Sequence, residues 1–242
     1  MFKLLTSIYE RLGLNAYIQG DPGKALAWFR RLEAIEPDSI RTLRNLGVIL
    51  LATGDAEGAG SYLLREERRY GESFHRHSAL ADIAFARGRR EEAARRYAAA
   101  LGAPEVGQGG SSRGSRVFLE KRLALCQDPV AFEAAMSGAD CFSRAEAARD
   151  AGEHERAMAL FDEAASLDPT HWPALNNAGS LALGALGNPE RALAYFERAY
   201  ALAQTAQVAR NVELAREWLA KESLEKRHTA QRAAQRAERN AR

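Results

Sequence analysis

Glycine-containing turns recur along the sequence at a fixed spacing. Gly20, Gly54 and Gly88 are 34 residues apart, and the same turn pattern returns at Gly152 and Gly187. Five residues after each glycine stands an alanine, and nine residues after it stands a large apolar residue. A fixed period of this length is the signature of an architecture built from repeated supersecondary units. We therefore expect a stack of similar units in which each unit packs on its neighbours.

Apolar residues recur every three or four positions on both sides of each turn, which predicts two amphipathic helices per unit. Leu43, Leu46 and Leu50 form one such stripe ahead of the second turn. Glycine ends the first helix of a unit because it adopts a left-handed conformation without a Cβ penalty. Pro37 and Pro169 are expected to end the second helix, since proline lacks the amide donor that a continuing helix requires.

The period, the small residue seven positions before the turn and the alanine after it resemble the tetratricopeptide-repeat pattern. The resemblance covers roughly two thirds of the chain. It implies an all-α, right-handed superhelical solenoid of antiparallel helix pairs, with about five recognisable repeats. The expected division is three repeats in 1–104, a Gly/Ser-rich loop and degenerate helical hairpin in 105–137, two repeats in 138–204, a capping helix in 205–225 and a basic tail in 226–242.

Two parts of the sequence depart from the pattern. Glu66 stands where a small residue is usual, and Gly71 stands where proline is usual. The spacing from Gly88 to Gly152 is 64 residues, four short of two full units. Within it, the Gly/Ser-rich stretch 102–115 is typical of a mobile loop. The degenerate hairpin is expected to keep the stack continuous over 116–137, and the alternative is a hinge between a three-unit and a two-unit block.

Composition and targeting signals favour a cytoplasmic protein without membrane insertion. The first residues, MFKLLTSIYERLG, lack the apolar core and cleavage site of a signal peptide. The most apolar run, LGVILLATG, is shorter than the ~20 residues of a membrane span. Cys126 and Cys141 are expected to be small, buried or half-buried side chains in a reducing compartment.

The sequence gives little support for catalysis, for a cofactor or for a small-molecule substrate. Gly23 and Lys24 resemble part of a phosphate-binding loop, but Ala25 follows them and no strand precedes them. His75 and His77 are two residues apart, whereas metal-binding pairs on a helix need a spacing of three or four. We expect neither an enzyme nor a metal site.

In proteins that the chain resembles, the first helix of each unit lines a concave groove that binds an extended peptide or another helix. Aligned with that pattern, the groove candidates are Glu10, Arg11, Leu14, Tyr17, Arg41, Arg44, Asn45, Val48, His75, Ser78, Asp82 and Phe85. The central seven are Arg11, Tyr17, Arg41, Arg44, Asn45, His75 and Phe85. This basic and aromatic set suits an acidic partner, with a carboxylate or backbone anchored by Arg41, Arg44 and Asn45.

Two other partner classes remain open from the sequence. Residues 226–242 carry six lysines and arginines against one acid, Glu238. Such a charged tail is typical of a solubilising end, and the alternative is a tail that binds nucleic acid or the ribosome. The net charge of +2 is too small to favour nucleic acid by itself. The first helix has an apolar flank that could also support a homo-oligomer.

Overall fold

The computed structural model describes residues 2–104 and 113–240. Twelve α-helices and no strands occur within these ranges, so the predicted all-α class is confirmed. The chain divides into two compact units, Met1–Gly110 and Ser111–Arg242. The helices are α1 (Phe2–Ile18), α2 (Pro22–Ile35), α3 (Ile40–Ala52), α4 (Ala56–Tyr70), α5 (Phe74–Ala86), α6 (Arg90–Gly102), α7 (Arg113–Gln127), α8 (Pro129–Asp150), α9 (His154–Leu167), α10 (Trp172–Gly184), α11 (Pro189–Leu202) and α12 (Ala206–Asn240).

Consecutive helices form the predicted pairs. In the first unit α1 packs on α2, α3 on α4 and α5 on α6. In the second unit α8 packs on α9 and α10 on α11, while α12 covers α11 and α7 contacts α8 and α11. We call the leading helix of each pair a first helix and the following helix a second helix. The first helices are α1, α3, α5, α8 and α10, and the second helices are α2, α4, α6, α9 and α11.

The predicted turn glycines have the backbone conformation that favours glycine. Their φ angles are 78° at Gly20, 84° at Gly54, 69° at Gly88, 79° at Gly152 and 58° at Gly187. At the first turn, the Asp21 amide donates to the carbonyl of Ala16 (3.0 Å) and closes α1. The Asp21 carboxylate accepts from the Lys24 amide (2.8 Å) and begins α2. A Gly-Asp pair therefore ends one helix and starts the next.

The cores of both units follow the predicted spacing. The alanine five positions after each turn is fully buried, and so is the large residue nine positions after it. Phe29 lies so close to Gly13 that a Cβ there would be 2.8 Å from the ring, and Phe196 lies against Gly179 in the same way. Small residues in the first helices thus make room for rings of the second helices.

One predicted element boundary is wrong. The sequence predicts that the degenerate hairpin ends at residue 137, but its second helix is the beginning of α8, which continues without interruption from Pro129 to Asp150. Gly138 does not break this helix, because its lack of a side chain serves packing. A Cβ on Gly138 would lie 3.1 Å from the carbonyl oxygen of Ala164 and 3.3 Å from Cβ of Leu167, both in α9. The first helix of the fourth repeat is therefore a single long helix.

The expected capping helix and basic tail are also one element. Val208, Val212 and Ala215 of α12 are buried in the core of the second unit, whereas the described side chains from Ser223 onward are exposed. Whether this basic end binds nucleic acid stays a prediction. Over the described ranges, no helix has both the length and the apolar character needed to cross a membrane.

Candidate partner-binding surface

The first helices of the first unit carry the candidate surface. Ser39 and Ser73 cap α3 and α5 by accepting hydrogen bonds from amides in the first turn of each helix. Residues 34 positions apart occupy corresponding places on α1, α3 and α5, so Tyr17 corresponds to Leu51. We call the exposed set the first-helix face. Its members are Leu14, Tyr17, Arg44, Leu51, His75 and Asp82.

Arg41 joins α3 to α1 through carboxylates. Its Nη2 donates to Oε2 of Glu36 (2.8 Å) and its Nη1 to Oε2 of Glu10 (3.2 Å). The hydrogen bond to Glu36 is the main cause that raises the pKa of Arg41. Two carboxylates surround one guanidinium, so the local formal charge is negative. Arg41 therefore fits a link between helices better than an anchor for another carboxylate.

Arg44 belongs to a cluster with the opposite charge balance. The Glu66 side chain is fully buried, and its Oε1 accepts from Nη2 of Arg44 (3.1 Å) and from Nη2 of Arg76 (2.9 Å). Arg76 is itself buried and also donates to the carbonyl of Gly71 (2.7 Å). Two guanidinium groups share one carboxylate, which leaves the cluster with a net positive charge. Because 45% of the Arg44 side chain is exposed, this charge is accessible from outside.

His75 lies beside this cluster on α5. Part of the His75 side chain is exposed, but the surrounding protein desolvates the ring and lowers its pKa, and the guanidinium of Arg44 lowers the pKa further. The imidazole is therefore kept neutral at pH 7, where it can donate or accept a hydrogen bond without adding charge. Arg44 is thus the cationic group of this surface, and His75 is a neutral polar neighbour. The other charged member of the face is Asp82, whose carboxylate accepts a hydrogen bond from the Tyr97 hydroxyl (2.7 Å).

A family model described as tetratricopeptide repeat matches residues 11–73 and 142–207, more than half of the chain. The chain is a tetratricopeptide-repeat protein. Its family supports a role in protein interaction. Similar solved structures include a MamA protein (18% identity over 81% of this chain and 90% of that one, TM-score 0.43). Pseudomonas aeruginosa PilF is similar at 16% identity, over 94% of this chain and 93% of that one, with a TM-score of 0.43.

A third similar structure is YrrB, whose description names a tetratricopeptide-repeat protein with an unusual peptide-binding site. Its identity is 14% over 85% of this chain and 90% of that one, and the TM-score is 0.41. A search of the curated proteins finds no match.

The structure of this tetratricopeptide-repeat protein separates the predicted groove residues into groups. Tyr17, Arg44 and His75 are exposed on the first-helix face, and Asn45 is half-buried on α3 beside Arg44. Arg11 is exposed, but it is six residues from Tyr17, which places the two side chains on different sides of α1. They do not line one surface.

Phe85 requires a correction. Its side chain is only 5% exposed, and its ring packs edge-on against Tyr97 with the centroids 6.4 Å apart. Phe85 is therefore a core residue of the α5–α6 pair and not a groove residue. Its place in the repeat corresponds to Tyr17 and Leu51, which are exposed. The sequence alone does not distinguish them, because the same position is covered in one repeat and open in two.

The residues that sequence reasoning missed are Glu66 and Arg76. In the sequence, Glu66 stands out only as a departure from the repeat pattern, and Arg76 falls between His75 and His77. The 2.9 Å ion pair of Glu66 and Arg76 joins the C-terminal half of α4 to the first turn of α5. The available signal was the charge itself, since an acid at a position that the repeat buries requires a cationic partner.

A second polar cluster in the first unit brings together Glu67, Glu72 and His77. Ligand atoms of these three side chains lie within 4.8 Å of one another, a set that could hold a metal ion. Arg96 already occupies this cluster: its Nη2 donates to Glu67 (3.0 Å), and its Nη1 is 3.2 Å from Nδ1 of His77. A metal ion at Nδ1 would have to displace this guanidinium. The cluster fits an ion-pair network between α4, α5 and α6.

Proposed function

We propose that the protein is a non-catalytic interaction scaffold that holds an acidic segment of a partner protein along the first-helix face. The observation that carries the proposal is the exposed guanidinium of Arg44, fixed by a buried carboxylate. The partner carboxylate would pair with Arg44, and its neighbouring residues would contact the apolar part of the face.

Arg44 is prepared for binding because its position is already set. The contact with Glu66 restrains the long arginine side chain, which otherwise loses conformational freedom when a ligand binds. The second guanidinium, that of Arg76, keeps the cluster positive after Arg44 and Glu66 have paired. Planar guanidinium groups bind carboxylates through two parallel hydrogen bonds, which gives geometric specificity.

The apolar part of the face comes from Leu14, Tyr17 and Leu51, all of them exposed large side chains. Aromatic and arginine residues are the types that most often dominate the energy of protein interfaces. Tyr17 adds a rigid ring with a polar end, so it can cover an apolar group and donate a hydrogen bond. A segment that combines an acid with apolar residues therefore fits this surface best.

Affinity capture from the native organism, followed by quantitative mass spectrometry, tests the proposal. We compare the wild-type protein with Arg44→Gln and with Arg69→Gln, a matched loss of one exposed arginine on α4. Wild type and Arg69→Gln should capture the same proteins in similar amounts. With Arg44→Gln the captured amount of these proteins should be about tenfold lower, as expected when a charged hydrogen bond is removed from an interface.

The Arg41→Glu/Arg44→Glu double variant extends this test. It should abolish capture, while Arg41→Gln alone should have the smaller effect because Arg41 is already paired with Glu36 and Glu10. Undiminished capture by the double variant would rule out this surface as the binding site.

A further inference from the structure

We propose that a second surface, on another side of α1, binds an amphipathic helix of a partner protein that places a carboxylate opposite Arg11. We call it the α1 stripe and define it by Leu4, Ile8, Arg11, Asn15 and Ile18, all of them exposed. None of these side chains belongs to the first-helix face, which α1 contributes to through Leu14 and Tyr17.

The spacing of the α1 stripe is that of a helix-packing seam. Its members are separated by four, three, four and three residues, the alternation that aligns side chains along one side of a helix. The stripe is about 21 Å long at 1.5 Å per residue. Leu4 is 68% exposed and Ile18 is 80% exposed. Ile8, 36% exposed, lies between them, so three exposed apolar side chains follow one side of α1.

The remaining sides of α1 are already in use. Thr6, Gly13 and Ala16 are buried in the first unit, with Gly13 against the ring of Phe29. Tyr17, which belongs to the first-helix face, is nine residues from Ile8, about 2.5 turns, and therefore points to the opposite side of α1. Leu14, the other α1 member of the first-helix face, is three residues from Arg11 and four from Ile18, so the α1 stripe borders that face along this edge of the helix.

Arg11 determines what can cover this surface. It lies at the midpoint between Leu4 and Ile18, and among the described residues it makes no ion pair, hydrogen bond or ring contact. Arg41, by contrast, is held by two carboxylates. A cation in the middle of an apolar contact is costly unless the covering surface supplies an opposite charge. The occupant must therefore carry an acid at the centre of an apolar helix face.

The same position argues against a second copy of α1 as the occupant. A symmetric dimer brings identical patches together around a twofold axis. Centred on the α1 stripe, that axis would place Arg11 opposite the Arg11 of the partner copy. Like charges at the centre of a contact disfavour that pairing by several kcal/mol. A helix of a different protein with a central glutamate or aspartate would instead place an opposite charge next to Arg11.

A pair of designed peptides tests this inference on the full chain. Each peptide has about 18 residues, enough for a helix to form, is alanine-rich, and repeats leucine at the spacing of the α1 stripe. One carries glutamate at the middle of the leucine face, and the other carries lysine there. Fluorescence anisotropy should show the glutamate peptide binding at least about tenfold more tightly than the lysine peptide.

Two variants and one control complete the experiment. Arg11→Glu should reverse the preference so that the lysine peptide binds more tightly, and Ile18→Asp should abolish the binding of both peptides. Leu64→Asp changes an equally apolar, exposed side chain on α4 and should leave both affinities unchanged. Circular dichroism melts confirm that each variant is folded.

Several results would overturn the proposal. They are the absence of binding by either peptide, equal affinities for the two peptides, and a preference that Arg11→Glu does not alter. Analytical ultracentrifugation without peptide tests whether the protein forms a dimer through the α1 stripe. A dimer that Ile18→Asp converts to a monomer would show that a second copy covers the α1 stripe.

Discussion

Glu66 departs from the repeat pattern and is the buried carboxylate that Arg44 and Arg76 contact in the first unit. A fully buried carboxylate loses its hydration, and only nearby cations can compensate for this loss. Arg76 supplies this compensation from inside the unit, and Arg44 supplies it from the surface. One oxygen, Oε1, accepts both contacts, whereas Oε2 is buried without a hydrogen-bond partner in the described structure. The site therefore depends on a charge balance rather than on a full set of hydrogen bonds.

Glu66→Ala should destabilise the protein by about 3–5 kcal/mol, because Arg76 would remain buried without its carboxylate. Arg44→Ala should cost less, about 1–3 kcal/mol, because the buried Glu66 carboxylate loses one charged hydrogen bond but keeps its ion pair with Arg76. A Glu66→Leu/Arg76→Met double variant should recover most of the loss, because it replaces a buried ion pair by apolar side chains. Urea unfolding measures all three. Equal stability of Glu66→Ala and wild type would contradict the role given to Glu66.

His171 gives the second unit a pH dependence. Its Nδ1 caps α10 by accepting from the Ala174 amide (3.1 Å), and its ring packs on Phe142 at 4.5 Å between centroids. Burial lowers the pKa of His171, with the Arg122 charge adding to the effect against Asp168, which raises it. The neutral form is favoured in the folded state, so this contribution to stability is complete above the unfolded pKa of about 6.5. It is lost as the pH falls through the lower folded pKa.

The free energy of unfolding should therefore decrease between pH 7.5 and pH 5.5. His171→Asn keeps a capping oxygen but cannot be protonated, so its decrease over this interval should be smaller than that of wild type. Denaturant titrations at several pH values provide the comparison. His75, whose pKa is also lowered, should account for part of the slope that persists. Identical slopes in the two proteins would exclude His171 as the titrating group.

At the scale of helices, neighbouring second helices are joined by a polar contact that recurs with the repeat. Tyr62 donates to Glu33 (2.6 Å), and Arg96 donates to Glu67 (3.0 Å). The donor lies eight residues after its turn glycine, and the acceptor lies thirteen residues after the preceding one. In both cases a second helix is linked to the second helix before it. In the second unit, Tyr195 makes a similar contact with Asp162 in the preceding second helix.

Tyr62→Phe should lower the free energy of unfolding by about 1–2 kcal/mol, because it leaves the Glu33 carboxylate without its phenolic donor. Arg30 and Arg65, which contact the ring, keep this carboxylate partly paired and limit the loss. Tyr17→Phe is the matched control, since the Tyr17 hydroxyl makes no hydrogen bond within the described residues. Thermal and urea unfolding should separate the two variants. If both behave alike, the Tyr62 hydrogen bond does not contribute to stability.

For the whole molecule, the sequence was sufficient where spacing alone determines structure. The alanine and the ring at fixed distances from each glycine predict which residues are buried, and the turns follow from the glycines. Spacing was insufficient where residues at the same place in the repeat can have different structural roles. Gly138 could end a helix or admit a close neighbour, and only the contact with α9 decides between them. Phe85 and Tyr17 share a repeat position, yet the packing of each repeat decides which is covered.

The candidate site was harder to predict than the fold for a related reason. The repeat pattern makes Arg41 and Arg44 equivalent candidates. Their different roles depend on neighbours that are distant in sequence, such as Glu10, 31 residues before Arg41, and Glu66, 22 residues after Arg44. Charge balance is a property of a cluster in space, so it is visible only once the helices are packed.

Stability should be unevenly distributed along the chain, as expected for a repeat protein in which each helix pair contacts only neighbouring pairs. The end of α12 shows this most directly. Among the side chains of α12 that the structure describes, the last buried one is Ala215, and the Lys226–Glu222 ion pair lies within the helix itself. Such a pair between exposed side chains contributes little to stability. The described part of the helix from 223 to 229 therefore relies on local helix propensity rather than on burial.

Deleting residues 229–242 should consequently change the free energy of unfolding by less than about 0.5 kcal/mol, the usual range for surface changes. Hydrogen exchange of the full chain should be fast in this segment and slow around Val208 and Val212, which are buried. Replacing Val212 with alanine is the contrasting change, because a cavity in the core should cost about 1–3 kcal/mol. A large loss of stability on deletion, or slow exchange beyond residue 229, would show that the basic end of α12 is held by contacts of its own.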